Sequence, residues 1–233
     1  MREKVTFTID GQEITGRQGQ SIVQAAKQNG VYIPTLCYMH DLLAPGTCRI
    51  CTVKVNGRTA SACTTTIMQG SVVENDTPEL NELRKTIVEM LFVEGNHFCP
   101  ACEKSGNCDL QALAYRFQML VPRFDYSFAQ RQIHAAPPKL MLEHNRCVLC
   151  RRCVQAIRTE DGKPLFAFTN RGNKTSIKID TALAATISDE LAQQAMDICP
   201  VGAILRKEKG FDTPIGQRKY DHQPIGSEIG RNS

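Results

Sequence analysis

The chain has 233 residues, enough for one or two domains or for several small ones. Its composition, with 42% hydrophobic and 22% charged residues, is that of an ordinary globular protein and excludes collagen-like, fibrous and largely disordered chains. The formal net charge of +4, the absence of tryptophan and the 6% of aromatic residues argue against nucleic acid as a partner, because such binders need a larger basic excess and stacking side chains.

Residues 1–76 are predicted to form a small sheet domain with one helix. Apolar and polar side chains alternate through 4–15 and 52–62 on either side of an Asp-Gly and an Asn-Gly pair, the pattern of two β-hairpins. Between them, Ser21 and Gly30 delimit a helix as its N-cap and C-cap. Two hairpins around a helix indicate a β-grasp fold. Its loop and one strand end carry the first thiol group, Cys37, Cys48, Cys51 and Cys63.

The next predicted element is a helix that begins at Pro78, after Thr77 as its N-cap, and ends at Gly95. Four apolar positions at helical spacing support this helix. They are Leu80, Leu83, Ile87 and Leu91. The following loop leads into a second helix, residues 109–120, that stops before Pro122. This loop carries the second thiol group, Cys99, Cys102 and Cys108.

The second thiol group has only three cysteines, so its fourth metal ligand is open. His97 precedes Cys99 by two residues, and an imidazole nitrogen is a competent donor to iron. The alternatives are Asp109, a water molecule or His144, in which case His97 is an ordinary loop residue. The remaining histidines have no cysteine group at useful spacing and are predicted to lie on the surface or in the core. They are His40, His134 and His222.

Residues 122–138 contain several prolines and are predicted to form a linker rather than a helix or strand. Residues 139–206 then have ferredoxin-like content: two short strands, FAFTN and SIKID, and a helix capped by Ser188. They carry the third thiol group, Cys147, Cys150, Cys153 and Cys199. Residues 207–233 show little periodicity and are predicted to be an extended arm, either disordered or folded along a partner subunit.

Eleven cysteines indicate metal binding rather than disulfide bonds. An odd number cannot pair completely, and the sequence has neither a signal-peptide pattern nor a run of about 18 apolar residues, so we expect a cytoplasmic protein without a membrane span. In that compartment thiols stay reduced. With His97 the cysteines supply twelve donors, which make three complete sets of four.

The C-x2-C-x2-C spacing of the third group favours an iron-sulfur cubane over zinc, because three thiolates at this interval can reach different irons. Cys199 supplies the fourth corner and is followed by Pro200, as at the end of bacterial ferredoxin motifs. A second cluster of that type would need cysteines four, seven and ten residues before Cys199. Those positions hold Ala195, Ala192 and Asp189. The sequence therefore predicts one [4Fe-4S] cluster here.

We likewise expect a second [4Fe-4S] cluster on the second thiol group and a [2Fe-2S] cluster on the first. A zinc-binding interaction scaffold is the alternative. Three basic residues beside the cysteines are interpreted as solvated charges, although they could raise the cluster potentials or meet an acidic partner. They are Lys104, Arg151 and Arg152.

The predicted fold class is α+β, with a β-grasp [2Fe-2S] domain (1–76), a helical His/Cys3 [4Fe-4S] domain (77–121), a linker (122–138), a ferredoxin-like [4Fe-4S] domain (139–206) and the arm (207–233).

The order of the three thiol groups resembles the N-terminal iron-sulfur region of the large NADH-dehydrogenase-type subunit of respiratory complex I and the accessory region of iron-only hydrogenases. The resemblance covers nearly the whole chain. Both families continue into large C-terminal domains, so a chain of this length with the tail GFDTPIGQRKYD is more similar to the small diaphorase (gamma) subunits of soluble NAD-reducing nickel-iron hydrogenases. Those larger proteins typically have His-x3-Cys in the second group, whereas one residue separates His97 from Cys99 here.

The resemblance implies an electron relay with no catalytic residues of its own. In that family an FMN-containing diaphorase large subunit reacts with NAD(H), and iron-sulfur clusters carry single electrons between the flavin and the hydrogenase small subunit, which adjoins the NiFe large subunit. The absence of G-x-G-x-x-G and G-x4-G-K-[ST] motifs agrees with this role. The alternative is the same relay in another NAD(P)-linked complex, such as a formate dehydrogenase or a complex-I-like module.

Overall fold

The computed structural model describes residues 3–229, which form a mixed α and β structure with small sheets. In this range the strands are β1 (Lys4–Ile9), β2 (Gln12–Arg17), β3 (Thr52–Val55), β4 (Arg58–Ser61), β5 (Val72–Glu74), β6 (Ile133–His134), β7 (Leu140–Glu143), β8 (Phe166–Thr169), β9 (Ser176–Ile179) and β10 (Ile204–Arg206). The α-helices are α1 (Ile22–Gln28), α2 (Pro78–Glu94), α3 (Asp109–Arg116), α4 (Arg152–Ala156), α5 (Thr181–Ala184) and α6 (Asp189–Ile198).

The first sheet has five strands in the order β2-β1-β5-β3-β4. Both predicted hairpins are present, and their turns contain Gly11 and Gly57 at positive φ, a conformation that glycine adopts without steric cost. Strand β5 was not predicted. It joins the hairpins by pairing parallel with β1 and antiparallel with β3. Helix α1 packs against this sheet with its apolar side.

Helix α1 begins as predicted and ends one residue earlier than predicted. The Ser21 hydroxyl accepts a hydrogen bond from the Gln24 amide, and the Gln24 side chain accepts one from the Ser21 amide, so both groups cap the first turn. The C-cap is Asn29 rather than Gly30. Gly30 follows at φ 74°, the left-handed conformation that commonly comes directly after a helix end.

Helix α2 has the predicted caps and boundaries, but its apolar positions do not define its buried face. Leu83 is 40% exposed, whereas Arg84 and Glu89 are almost completely buried. The reason is that both charged side chains have partners inside the molecule. Arg84 donates hydrogen bonds to the main chain of the first domain, and Glu89 accepts two from Arg123. A hydrophobic pattern alone does not detect a helix face that is buried through polar contacts.

Two further predictions in the middle of the chain need correction. Helix α3 ends at Arg116 rather than continuing to residue 120, because the chain turns at Gln118 with φ 52°. The predicted linker 122–138 contains a strand, β6, which pairs with β7. The sheet that results has the order β10-β7-β6.

The strands predicted at FAFTN and SIKID form the hairpin β8-β9, and Ser188 caps α6, which leads directly to Cys199. Residues 207–229 of the predicted arm form turns that pack against the chain itself, while residues 230–233 lie outside the described residues. One apolar core lies within the first sheet domain. A second core joins α2, α3, β7, β9 and α6, and Leu36 and Ile50 from the loop of the first thiol group extend into it.

Candidate metal centres

Between residues 3 and 229, all eleven cysteines are free thiols, and eight of them are buried. Within each group the thiols lie close enough to influence one another's pKa, and the loops that carry them meet at the second core. Free thiols are rarely this dense inside a protein unless they bind metal.

The first thiol group forms a network of sulfur contacts. Cys37 shares side-chain hydrogen bonds with Cys48 and Cys63, and Cys51 shares one with Cys63. The main-chain amide of Cys37 also lies 3.4 Å from Cys48 Sγ. The hydrogen bonds from Cys48 and Cys63 lower the pKa of Cys37, so one sulfur of this group is held in the thiolate form that binds metal.

The second thiol group lies between α2 and α3. Cys108 is the N-cap of α3, and its sulfur lies 3.4 Å from the Gln111 amide that donates to it. Arg146 Nη1 lies 3.6 Å from Cys102 Sγ and donates to it. Burial raises the pKa of Cys108 to about 12, so a cation is needed to hold this thiol as thiolate at neutral pH.

His97 lies close to this group in sequence, and its imidazole packs against Phe92 with 5.4 Å between ring centroids. Its carbonyl oxygen lies 3.7 Å from Cys99 Sγ. Burial, together with the charges of Arg146 and Arg131, lowers the pKa of His97 to about 4, so the imidazole is neutral near pH 7 and has a free lone pair.

Asp109, one alternative fourth ligand, has both carboxylate oxygens engaged. Oδ1 accepts from the Tyr220 hydroxyl at 2.6 Å and from Lys219 Nζ at 3.2 Å, and Oδ2 accepts from Arg152 Nη1 at 3.1 Å. Burial would raise the pKa of Asp109, but the charges of Lys219 and Arg152 hold it below its usual value. This carboxylate therefore has little capacity left for a metal.

The third thiol group surrounds one small cavity. All four cysteines line it, and most of its other walls are apolar side chains such as Leu142, Val201 and Ile204. Leu149 and Arg151 adopt positive φ, which turns the chain sharply between successive cysteines. Burial, together with the charge on Cys199, raises the pKa of Cys147 to about 11, so the thiols repel one another as thiolates unless a cation compensates.

The donor set fits multinuclear iron-sulfur clusters. A cluster distributes its thiolates over several irons, which suits four cysteines placed around one cavity as in the third group. Arg152 Nε, beside Cys150, is buried without a hydrogen-bond partner in the part of the chain described. Cluster sulfurs accept hydrogen bonds from such donors.

The second and third groups adjoin each other through the loop after Cys199. The Asp109 amide donates to the Pro200 carbonyl at 2.8 Å, and Arg146 Nη1 lies 3.5 Å from the Gly202 carbonyl. Lys104 Nζ donates to the Met196 carbonyl at 2.7 Å. The interpretation of Lys104 and Arg152 as solvated charges was therefore wrong, since both are buried beside the cysteines.

Gly202 allows this close approach, because a Cβ at this position would lie 2.3 Å from Cys102 Sγ. We expect Gly202→Ala to displace Cys102 and to lower the metal content of the second group, with a stability loss of about 1–3 kcal/mol from overpacking. Iron and sulfide analysis of the anaerobically purified protein measures the change. Gly162→Ala is the control: its positive φ makes alanine strained there as well, but the open space around it means that no cysteine is displaced. Full metal content in Gly202→Ala would contradict the prediction.

Sequence reasoning missed a cluster of polar side chains that we name the junction, formed by Asp109, Arg152, Lys219 and Tyr220. Its centre is the Asp109 carboxylate with the contacts given above. Arg152 Nη2 also donates to the Tyr38 carbonyl at 3.0 Å. The only sequence signal was that Asp109 and Arg152 directly adjoin cysteines.

Comparison with family models divides the chain as the thiol groups do. Residues 2–78 match the 2Fe-2S iron-sulfur cluster binding domain, residues 84–123 the NADH-ubiquinone oxidoreductase-G iron-sulfur binding region, and residues 137–205 the ferredoxin-like domain of NADH-quinone oxidoreductase subunit 3. The predicted presence of 2Fe-2S and 4Fe-4S domains is confirmed. No helix within residues 3–229 is long and apolar enough to cross a membrane.

Similar proteins fall into two groups. The gamma subunit of the NAD-reducing hydrogenase HoxS of Cupriavidus necator is 49% identical over 222 residues, which cover 95% of each chain. The mitochondrial NADH-ubiquinone oxidoreductase 78 kDa subunit of Candida albicans is 34% identical over 89% of this chain, and the corresponding 78 kDa protein of Neurospora crassa is 32% identical over 98%. This chain spans 29% and 31% of those two proteins.

A solved structure supports the first group. It is the crystal structure of an NAD+-reducing [NiFe]-hydrogenase in the H2-reduced state, in which a chain 42% identical to this one aligns with a TM-score of 0.87 over 95% of both chains. The sequence match and the structural match both extend over nearly the full length of the two proteins. On this evidence the chain belongs to the family of the gamma subunits of NAD-reducing hydrogenases.

Proposed function

We propose that this chain is the iron-sulfur relay subunit of a hydrogen:NAD+ oxidoreductase, which carries single electrons between a diaphorase subunit that binds FMN and NAD and the hydrogenase small subunit next to the NiFe large subunit. The observation that carries the proposal is the contact between the second and third thiol groups through Cys102 and Gly202, in a chain of this family. A relay needs redox centres in series, and adjoining ligand loops provide that arrangement.

We assign the ligands by thiol group. The [2Fe-2S] cluster is held by Cys37, Cys48, Cys51 and Cys63; one [4Fe-4S] cluster by His97, Cys99, Cys102 and Cys108; and the other by Cys147, Cys150, Cys153 and Cys199. When bound, the clusters supply one-electron transfer. Support for the third assignment comes from the cavity that its four cysteines share, and support for His97 comes from its neutral imidazole.

The proposed domains follow the same division: a β-grasp domain (1–76), a helical domain (77–121), a connecting segment (122–138), a ferredoxin-like domain (139–206) and a C-terminal arm (207–233). The first sheet with its single helix supports the β-grasp interpretation. Eleven reduced thiols fit a cytoplasmic location, where such thiols persist.

The chain's own residues exclude water and set the local charge. The apolar walls around the third group keep solvent from the sulfurs, and Arg146 and Arg152 place positive charge beside the second and third groups. Hydrogen bonds and positive charge favour the reduced state of a cluster, since reduction adds negative charge.

The test is anaerobic purification of the complex through this chain. We expect about ten irons with matching acid-labile sulfide for this subunit, co-purifying nickel, and NADH formation driven by hydrogen. A colourless protein with zinc and no sulfide would exclude the relay. A flavin-containing complex that lacks nickel and hydrogen activity would instead favour the second candidate, a relay in another NAD(P)-linked oxidoreductase. The similarity to the complex I proteins is the observation that favours this candidate.

A further inference from the structure

The junction touches all three thiol groups at once. Tyr38, whose carbonyl accepts from Arg152, follows Cys37 of the first group. Asp109 follows Cys108 of the second group, and Arg152 stands between Cys150 and Cys153 of the third. A second bridge lies nearby, where the Leu43 amide donates to Gln155 Oε1 at 3.0 Å and Gln155 Nε2 donates to the Leu43 carbonyl at 3.1 Å. Hydrogen bonds thus connect the loops of the first and third groups at two places.

The carboxylate and the guanidinium of the junction are shielded from solvent, whereas the Lys219 side chain is 59% exposed. The side chains of Arg152 and Asp109 are only 11% and 14% exposed. If one member of a buried charged pair is removed, the remaining charge is left without a partner and the fold is strongly destabilised. The same pair on the surface contributes little to stability. Asp109 and Arg152 therefore stabilise each other's position, whereas the exposed Lys219 contributes little.

The chain after residue 213 covers the outer side of the junction and supplies Lys219 and Tyr220 to it. We name residues 214–229 the tail segment. The Tyr220 amide donates to the Gly106 carbonyl at 2.9 Å, and the Lys219 amide donates to Asn107 Oδ1 at 2.8 Å, so this segment runs along the loop between Cys102 and Cys108.

The tail segment then reaches the first domain. The Ile225 carbonyl accepts from Arg116 Nη1 at 3.1 Å, and the same guanidinium lies 4.4 Å above the Tyr32 ring. Gly226 packs so closely on this ring that a Cβ would lie 2.5 Å from it. Ile225 is itself buried. The tail segment therefore spans the second group and the first domain.

We propose that the junction is a positioning device: Asp109, Arg152 and Tyr220 fix the separation of the three thiol groups, and the tail segment locks this arrangement. The proposal rests on the proposed function, because the separation matters for electron transfer between the bound clusters. None of these residues needs to be a ligand. The tail segment would then stabilise its own chain rather than lie along a partner subunit.

The test compares Tyr220→Phe, Arg152→Gln and Arg152→Lys in the full chain by hydrogen exchange of backbone amides. Tyr220→Phe removes one hydroxyl and no charge. Because the hydrogen bond to a buried carboxylate stabilises by more than 1.4 kcal/mol, we expect exchange to rise about tenfold in the tail segment and also in residues 38–43 and 105–109. Arg152→Gln is expected to have the larger effect and Arg152→Lys an intermediate one, since lysine lacks the fork that bridges two acceptors.

Arg151→Gln is the matched control. Arg151 is the neighbour of Arg152 and lies over the Phe168 ring rather than in the junction, so its replacement removes the same charge and is expected to leave exchange in the three segments unchanged. Faster exchange confined to the tail segment of Tyr220→Phe, or equal effects of Arg151→Gln and Arg152→Gln, would overturn the proposal.

A second measurement separates positioning from general loosening. In the fully reduced protein, electron paramagnetic resonance detects the magnetic interaction between neighbouring clusters, which depends on their separation. We expect Tyr220→Phe to change this interaction and Arg151→Gln to preserve it; an identical interaction in Tyr220→Phe and the unaltered protein would refute the positioning role. If the protein binds no iron, the proposed function fails, while hydrogen exchange still decides whether the junction joins the three loops.

Discussion

Replacement of Cys199 by alanine is expected to release about four of the ten irons proposed for this chain. Cys199 is buried, is the C-cap of α6 and lines the cavity of the third thiol group together with the other three cysteines. Its loss leaves one iron of the proposed cubane without a protein thiolate. We expect hydrogen-dependent NADH formation by the complex to fall close to background, because the relay is interrupted.

The measurement is iron and sulfide content per chain, followed by the activity of the assembled complex. Ser188→Ala is the matched control on the same helix. The Ser188 hydroxyl accepts from the Leu191 amide at 3.1 Å, so its removal costs about 1 kcal/mol of stability but takes away no ligand. Unchanged iron content in Cys199→Ala would remove this residue from the ligand set.

Replacement of Arg84 by alanine is expected to lower the free energy of unfolding by about 3–5 kcal/mol. Arg84 is 1% exposed and donates to the Asn75 carbonyl, the Asn75 side chain and the Thr52 carbonyl, each at 2.8 Å. Burial lowers its pKa to about 10, so the guanidinium stays charged at neutral pH. Alanine leaves two buried carbonyls without donors and opens a cavity between α2 and the first sheet.

Urea unfolding of the anaerobic protein, followed by circular dichroism, checks this value. Lys85→Ala, at the adjacent and partly exposed position, is the control and is expected to change stability by less than about 0.5 kcal/mol. Arg84→Met separates the two causes, because methionine keeps most of the packing and none of the donors. A Met variant as stable as the unaltered protein would show that the hydrogen bonds contribute nothing.

The elements that the sequence predicted well are those with local signals. Three helix starts are predicted by N-cap residues whose side chains accept a hydrogen bond from an amide three residues further on, namely Ser21, Thr77 and Ser188. Both hairpins are predicted by the turns at Gly11 and Gly57. The assignment to 2Fe-2S and 4Fe-4S domains followed from cysteine spacing, which is also local. In each case the residues that determine the feature lie close together in the chain.

The features that escaped prediction depend on distant partners. Strand β5 has three residues and exists because β1 and β3 offer free edges on either side of it. The burial of Arg84 depends on a carbonyl 32 residues away, and the junction joins Asp109 to Tyr220 across 111 residues. Spacing patterns contain no information about such pairs, so charged residues at these positions resembled ordinary surface residues.

The tail segment also has a consequence for the order of events during synthesis. It leaves the ribosome after all eleven cysteines, yet it supplies the outer side of the loop between Cys102 and Cys108. Domains generally begin to fold in the order in which they are made. Until the tail segment has been made, the loop between Cys102 and Cys108 lacks these contacts, and we expect its thiols to be more open to incoming iron and sulfide. Synthesis of the tail segment then covers the outer side of this loop.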